Sequence, residues 1–183
     1  MSKILVDTID TRSGTSTLTL GSTNAGTIAL GSGDVQSNFL YPAFLAYLSS
    51  NQTVSNNTVT KISCDTESLD TNSNYDTSNY RFTPTVAGKY FIYGATQTST
   101  DASALSFAQA IIYKNGAYAS ENTIDFRGGS GGASNIVFTS VIADLNGSSD
   151  YVELFGRINS SSNHSFQGGS FPINYFGGYR IGS

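Results

Sequence analysis

Between Asp70 and Gly94 the chain reads DTNSNYDTSNYRFTPTVAGKYFIYG. Asp70, Tyr75, Phe82, Gly88 and Tyr90 stand at intervals of five, seven, six and two residues. Aromatic residues at these gaps, closed by Gly-x-Tyr and an apolar run, predict strands whose rings meet in one β core.

The rest of the composition agrees. Only 12% of the 183 residues are charged, about half the usual share for a soluble domain. The surface must therefore be clothed by Ser, Thr, Asn and Gly, which suits strands and turns and not long helices. The 11 Phe and 11 Tyr supply enough ring surface for a sizeable core. Net charge is −4 and no Lys/Arg cluster exists to neutralise a run of phosphates, so nucleic acid and anionic membrane are not expected partners. Cys64 is the only cysteine; it reads as a small buried hydrophobe. The opening MSKILVD is too short in apolar residues for a signal peptide, and no run is long enough to span a membrane.

Residues 1–37 and 38–183 are expected to form separate parts. The first is rich in Thr, Ser and Gly and holds a ten-residue repeat, Leu18-Thr19-Leu20-Gly21-Ser22 and Ile28-Ala29-Leu30-Gly31-Ser32. Each unit reads as a short strand and a turn. Two such strands cannot bury their apolar faces alone, so the segment reads as a stalk or anchor that orders beside other copies or a host assembly. Ile4, Leu5, Val6 and Ile9 are its docking residues. In 38–183 the pattern predicts about nine strands separated by turn signals. Asn115-Gly116 between Tyr113-Lys114 and Ala117-Tyr118 is a hairpin signature. The architecture expected is an all-β sandwich.

Several strands are apolar on both sides. Tyr90 and Ile92 share one face of their strand while Phe91 and Tyr93 take the other. Val152 and Leu154 oppose Tyr151 and Phe155 in the same way. One side is the core. The other would expose Phe91, Tyr93, Tyr151 and Phe155 in a monomer, more ring surface than monomers usually show. Covering them in a symmetric oligomer is worth on the order of 15–20 kcal/mol per subunit before association costs.

The spacing Cys64, Asp70, Tyr75, Phe82, Gly88, Tyr90, Ile92, Gly94 resembles the signature of the globular heads of complement component one-q and the related tumour necrosis factor superfamily. Cys64, Ile92 and Gly94 stand where that family has aromatic residues. Lys114-Asn115-Gly116, Val141-x-Ala143-x-Leu145-Asn146 with Asp150-Tyr151-Val152-Glu153-Leu154, and Phe176-Gly177-Gly178-Tyr179-x-Ile181 resemble later motifs in the same order. The resemblance covers residues 38–183. It implies a ten-stranded jelly roll that forms a homotrimer and binds partners through exposed loops. Some relatives hold calcium, but no dense acidic cluster exists here to supply ~6–8 oxygens, so neither metal nor cofactor is expected. The opening MSKILVDTIDTRSGTSTLTLG resembles that of virion structural proteins from phages of marine bacteria and cyanobacteria, which implies a particle-bound protein attached through its N-terminus to other virion proteins.

Signs of an enzyme are few. His164 is the only histidine and no Gly-x-Ser-x-Gly elbow surrounds a serine. Gly128 to Gly132 lacks the Lys-Ser/Thr ending of a phosphate loop. What remains is loop chemistry: Tyr118, Arg127, Asn163, His164 and Gln167 combine rings and amides that suit a host-surface glycan or protein. The function expected is a tail fibre or tip head. The alternatives are a capsid decoration or tail-assembly trimer, a non-viral adhesion or signalling module, and, more remotely, a glycan hydrolase.

Overall fold

The computed structural model describes residues 42–126 and 132–182. The expected anchor residues Ile4, Leu5, Val6 and Ile9, the proposed boundary at 37/38, Arg127 and the glycine tip up to residue 131 lie outside them. The described chain contains thirteen strands and no helix. They are β1 Ala43–Tyr47, β2 Gln52–Thr53, β3 Thr60–Lys61, β4 Thr66–Asp70, β5 Tyr75–Asp76, β6 Arg81–Phe82, β7 Gly88–Ser99, β8 Leu105–Lys114, β9 Ala117–Asp125, β10 Ile136–Leu145, β11 Val152–Ser160, β12 Ser165–Phe166 and β13 Tyr175–Gly182. Five of them are two-residue rungs, which is why the number exceeds the ten of the expected jelly roll.

Two antiparallel sheets form a sandwich. In the seven-stranded sheet β7 is central, with β10 on one edge and β13 on the other, followed by β1 and β4; β12 and β2 extend it past the end of β13. In the six-stranded sheet the order is β5, β6, β11, β8, β9, with β3 also on β11. Along one side of the sandwich, side chains join the sheets where no backbone ladder does. Ser120 Oγ lies 2.9 Å from Thr139 Oγ1, and Asn122 Nδ2 donates to Phe138 O at 2.8 Å.

The aromatic spacing that opens the sequence argument converges in the core. Phe44 stacks on Phe82 at 4.2 Å and on Tyr75 at 5.4 Å, and Phe82 meets Tyr90 edge-on at 5.8 Å. Each buried hydroxyl has an acceptor, as burial requires: Tyr75 Oη donates to Cys64 O (2.8 Å) and Tyr90 Oη to Val86 O (2.6 Å). Asp70 accepts the backbone N–H of Tyr75 at 2.7 Å and so fixes the turn ahead of it. Gly88 has φ +147°, and a Cβ there would lie 2.3 Å from Gly182 O, so the position admits no side chain. Cys64 is buried and free, and burial pushes its thiol well above the ordinary range.

Alternation places the remaining residues. Tyr90, Ile92, Val152, Leu154, Ala143 and Leu145 point inward and are buried. Phe91, Tyr93, Tyr151 and Phe155 point outward.

Candidate interaction faces

The outer face of the seven-stranded sheet is apolar over several strands. One rung sets Ile142, Phe91, Tyr179 and Ala43 side by side; the next sets Ser140, Tyr93, Gly177, Leu45 and Leu69; a third sets Phe138, Ala95, Tyr175 and Tyr47. Phe91 lies 5.7 Å from Tyr179 and 5.9 Å from Tyr93, which is 6.2 Å from Tyr175. Tyr93 reclines over β13 because residue 177 is glycine: a Cβ there would meet the Tyr93 ring at 2.6 Å. Burial and the neighbouring Tyr175 and Tyr179 raise the pKa of the Tyr93 phenol. Around these rings Ile136, Phe138, Ile142, Leu69 and Tyr179 are 45% to 61% exposed. Each such side chain leaves on the order of 100 Å² uncovered, so the patch reaches the upper range for a monomer surface.

Tyr151 and Phe155 are not on this face. They belong to the outer side of the six-stranded sheet, pointing away from Phe91 and Tyr93, so the four rings expected to share one trimer interface divide between two opposite surfaces. Two patches facing directly apart propagate an open stack and do not close a ring. Tyr151 and Phe155 are also covered from within the chain. The Arg81 guanidinium sits 4.8 Å over the Tyr151 ring. Phe155 packs on Tyr113 at 4.2 Å and lies 5.8 Å beneath Lys61 Nζ, which bonds Glu153 at 2.6 Å. The residues that sequence reasoning left out, Tyr175, Tyr179, Phe138 and Ile142, stand instead beside Phe91 and Tyr93. Their signal was present: Ile136, Phe138 and Ile142 alternate with the inward Val137, Thr139 and Ala143, so β10 too is apolar on both sides.

The expected receptor loop residues are also divided. Tyr118 is in strand β9, not a loop, and packs edge-on against Tyr113 at 4.6 Å beside the Asn115-Gly116 turn. Asn163 and His164 lie at the other end of the sandwich, the length of β8 away, roughly 30 Å at ~3.3 Å per residue. There the loops are stitched together. Asp101 accepts from Ser162 Oγ and from Asn163 Nδ2, the latter at 2.5 Å, and these bonds hold its carboxyl below the usual range. His164 Nε2 lies 3.0 Å from Ser160 O. Gln167 Oε1 accepts from Gln97 Nε2 at 2.9 Å, and Asn174, fully buried, bridges the backbones of both. These contacts give Asn163 and Gln167 structural duties in ordering the loops.

The carboxylates at the start of β11, where a glycan hydrolase would need a catalytic pair, are engaged likewise. Asp150 accepts from Asn115 Nδ2 at 2.8 Å and pairs with Lys114 at 3.3 Å; Glu153 is buried on Lys61. Among the described residues no group of three His, Cys, Asp or Glu could hold a metal ion.

The architecture matches known structures in fold and hardly at all in sequence. Murine APRIL superposes with a TM-score of 0.57 at 10% identity, covering 77% of this chain and 99% of that one. The globular domain of zebrafish complement 1qA gives 0.51 at 10% identity, covering 77% and 97%. The Eiger TNF of S. frugiperda gives 0.54 at 10%, covering 78% and 94%. The fold is the jelly roll of the complement and tumour necrosis factor heads. No family model matches the sequence and no curated protein is similar to it.

Proposed function

We propose that this chain is the head of a homotrimeric phage virion protein, a tail fibre or tip, that touches the host surface with the end of the sandwich bearing residues 100–104, 132–135 and 161–164. The observation that carries the reading is the uncovered aromatic face of the seven-stranded sheet. It has no covering helix among the described residues, and a sister copy offers the same apolar chemistry in symmetric form. The number three comes from the resemblance to the complement-like heads. The placement on a particle rests on the likeness of residues 1–21 to phage virion proteins. The described chain starts at the edge where Ala43 pairs with Tyr179, near the Gly182 end. The stitched loops are at the opposite end of the sandwich, where β7 ends at Ser99 and β8 begins at Leu105.

Immunogold labelling of the intact particle carrying this chain tests the proposal. Gold at the distal tail is the expected result. Gold spread over the shell would replace the attachment reading with capsid decoration, and particles without label would contradict a virion role.

A further inference from the structure

The outer side of the six-stranded sheet carries a hollow of ≈ 550 Å³ lined by Phe107, Gln109, Thr123, Asp125 and Arg157, within the range typical of ligand sites. It sits on two successive rungs of β9, β8 and β11, Asp125–Phe107–Asn159 and Thr123–Gln109–Arg157. Rungs on one face are about 6.6 Å apart, close to the breadth of one pyranose ring.

Its polar groups are held in place before any ligand arrives. Arg157 donates from Nε to Asn57 O at 3.2 Å and from Nη2 to Asn57 Oδ1 at 2.6 Å, with its guanidinium 5.0 Å over the Phe107 ring. Its other N–H groups stay available. Gln109 Nε2 donates to Glu121 Oε1 at 2.6 Å and to Thr123 Oγ1 at 3.1 Å, which turns the amide oxygen the other way. The hollow thus combines fixed donors from Arg157, a fixed acceptor from Gln109, the carboxylate of Asp125 and the edge of an aromatic ring. Vicinal hydroxyls, which both donate and accept, match this alternation. The hollow presents both signs of charge. A sugar acid would set a further anion beside Asp125 and Glu121, and an amino sugar would set a cation beside Arg157.

We propose that this hollow binds a neutral hexopyranose unit of a polysaccharide. The inference deepens the host-surface reading above and rests on it, moving sugar recognition from the loops to the sheet. The hollow faces away from the aromatic patch, so sister copies covering that patch leave it open. Several shallow sites on one rigid head convert millimolar single-site affinity into firm attachment to a polymer.

Saturation-transfer NMR and calorimetric titration of the full chain with the methyl glycosides of glucose, galactose and mannose test it, with glucuronate and glucosamine as charged contrasts. At least one neutral glycoside binds with millimolar Kd, with shifts centred on Phe107 and Gln109. Asp125→Ala and Gln109→Ala each weaken it about tenfold or more, and Tyr118→Ala at the opposite end leaves it unchanged. No binding by any neutral glycoside overturns the proposal, as does a preference for either charged sugar or affinity that survives both hollow variants. Retention of these variants on host envelope extract at wild-type level would remove the hollow and leave the attachment reading standing.

Discussion

Tyr75, Tyr90, Tyr93 and Tyr113 all lose water on folding, and burial raises the pKa of each phenol, Tyr113 to about 12. In the unfolded chain these groups ionise near pH 10. The native state therefore binds the more protons above that pH, and stability falls as pH rises through 10 towards the folded values, while below it their contribution is complete. Melting curves from about pH 8 to about pH 12 should show a flat Tm and then a steep fall, with tyrosinate absorbance emerging together with unfolding. Independent titration of the phenols near pH 10 with no loss of Tm would contradict this. Gly88 makes a sharper test. Gly88→Ala sets a Cβ against Gly182 O and forces a side chain into a positive φ, so unfolding in urea should show a loss of at least about 2 kcal/mol. Both residues were readable from the sequence, because the Gly-x-Tyr spacing sits at the mouth of a strand whose inward ring needs an acceptor. Nothing in the sequence placed Tyr93 on Gly177; that contact spans two strands far apart in the chain.

The long strands were readable as apolar and aromatic runs broken by turn signals such as Asn115-Gly116 and Asn146-Gly147. β7, β8, β9 and β11 fall where their patterns place them. The strands beyond the expected nine, β2, β4, β5 and β12, have two to five residues and too little alternation to read; Thr66-Glu67-Ser68-Leu69-Asp70 has one apolar residue, and only the ladder with β1 makes it a strand. Period two gave the inward and outward sides of β7 and β11 correctly. It could not tell which outward sides belong to the same sheet, since that depends on topology, and so Tyr151 and Phe155 were grouped with rings on the opposite surface. The β8–β9 hairpin offers a test at this level. Asn115 has φ 52° and Gly116 φ 78°, the left-handed pair that such a two-residue turn requires. Asn115 also bonds Asp150 at 2.8 Å and accepts the Tyr151 N–H at 2.9 Å, tying two hairpins together. Asn115→Ala loses both bonds and retains the strained φ, which should cost about 1–3 kcal/mol by chemical denaturation; an unchanged midpoint would show that the turn does not depend on its side chain.

The assembly follows from the apolar face of the seven-stranded sheet that the described residues leave uncovered. Phe91 and Tyr93 cover each other only in part, and Ile136, Phe138 and Ile142 extend the same patch along the free side of β7. A carboxylate there must be stripped of water on association. Ile142→Glu on the exposed rim of β10 should therefore leave the Tm of the isolated subunit nearly unchanged and separate the copies, whereas Phe155→Glu on the other sheet should leave the copy number intact. The family resemblance supplied the fold and the expectation of three copies, while the sequence pattern supplied the need for a partner. The mass of the full chain by sedimentation at nanomolar concentration decides between them. A particle three times the 19.3 kDa chain, falling to a single chain in Ile142→Glu, is the result this account predicts; a folded monomer with the aromatic face open to water would contradict it.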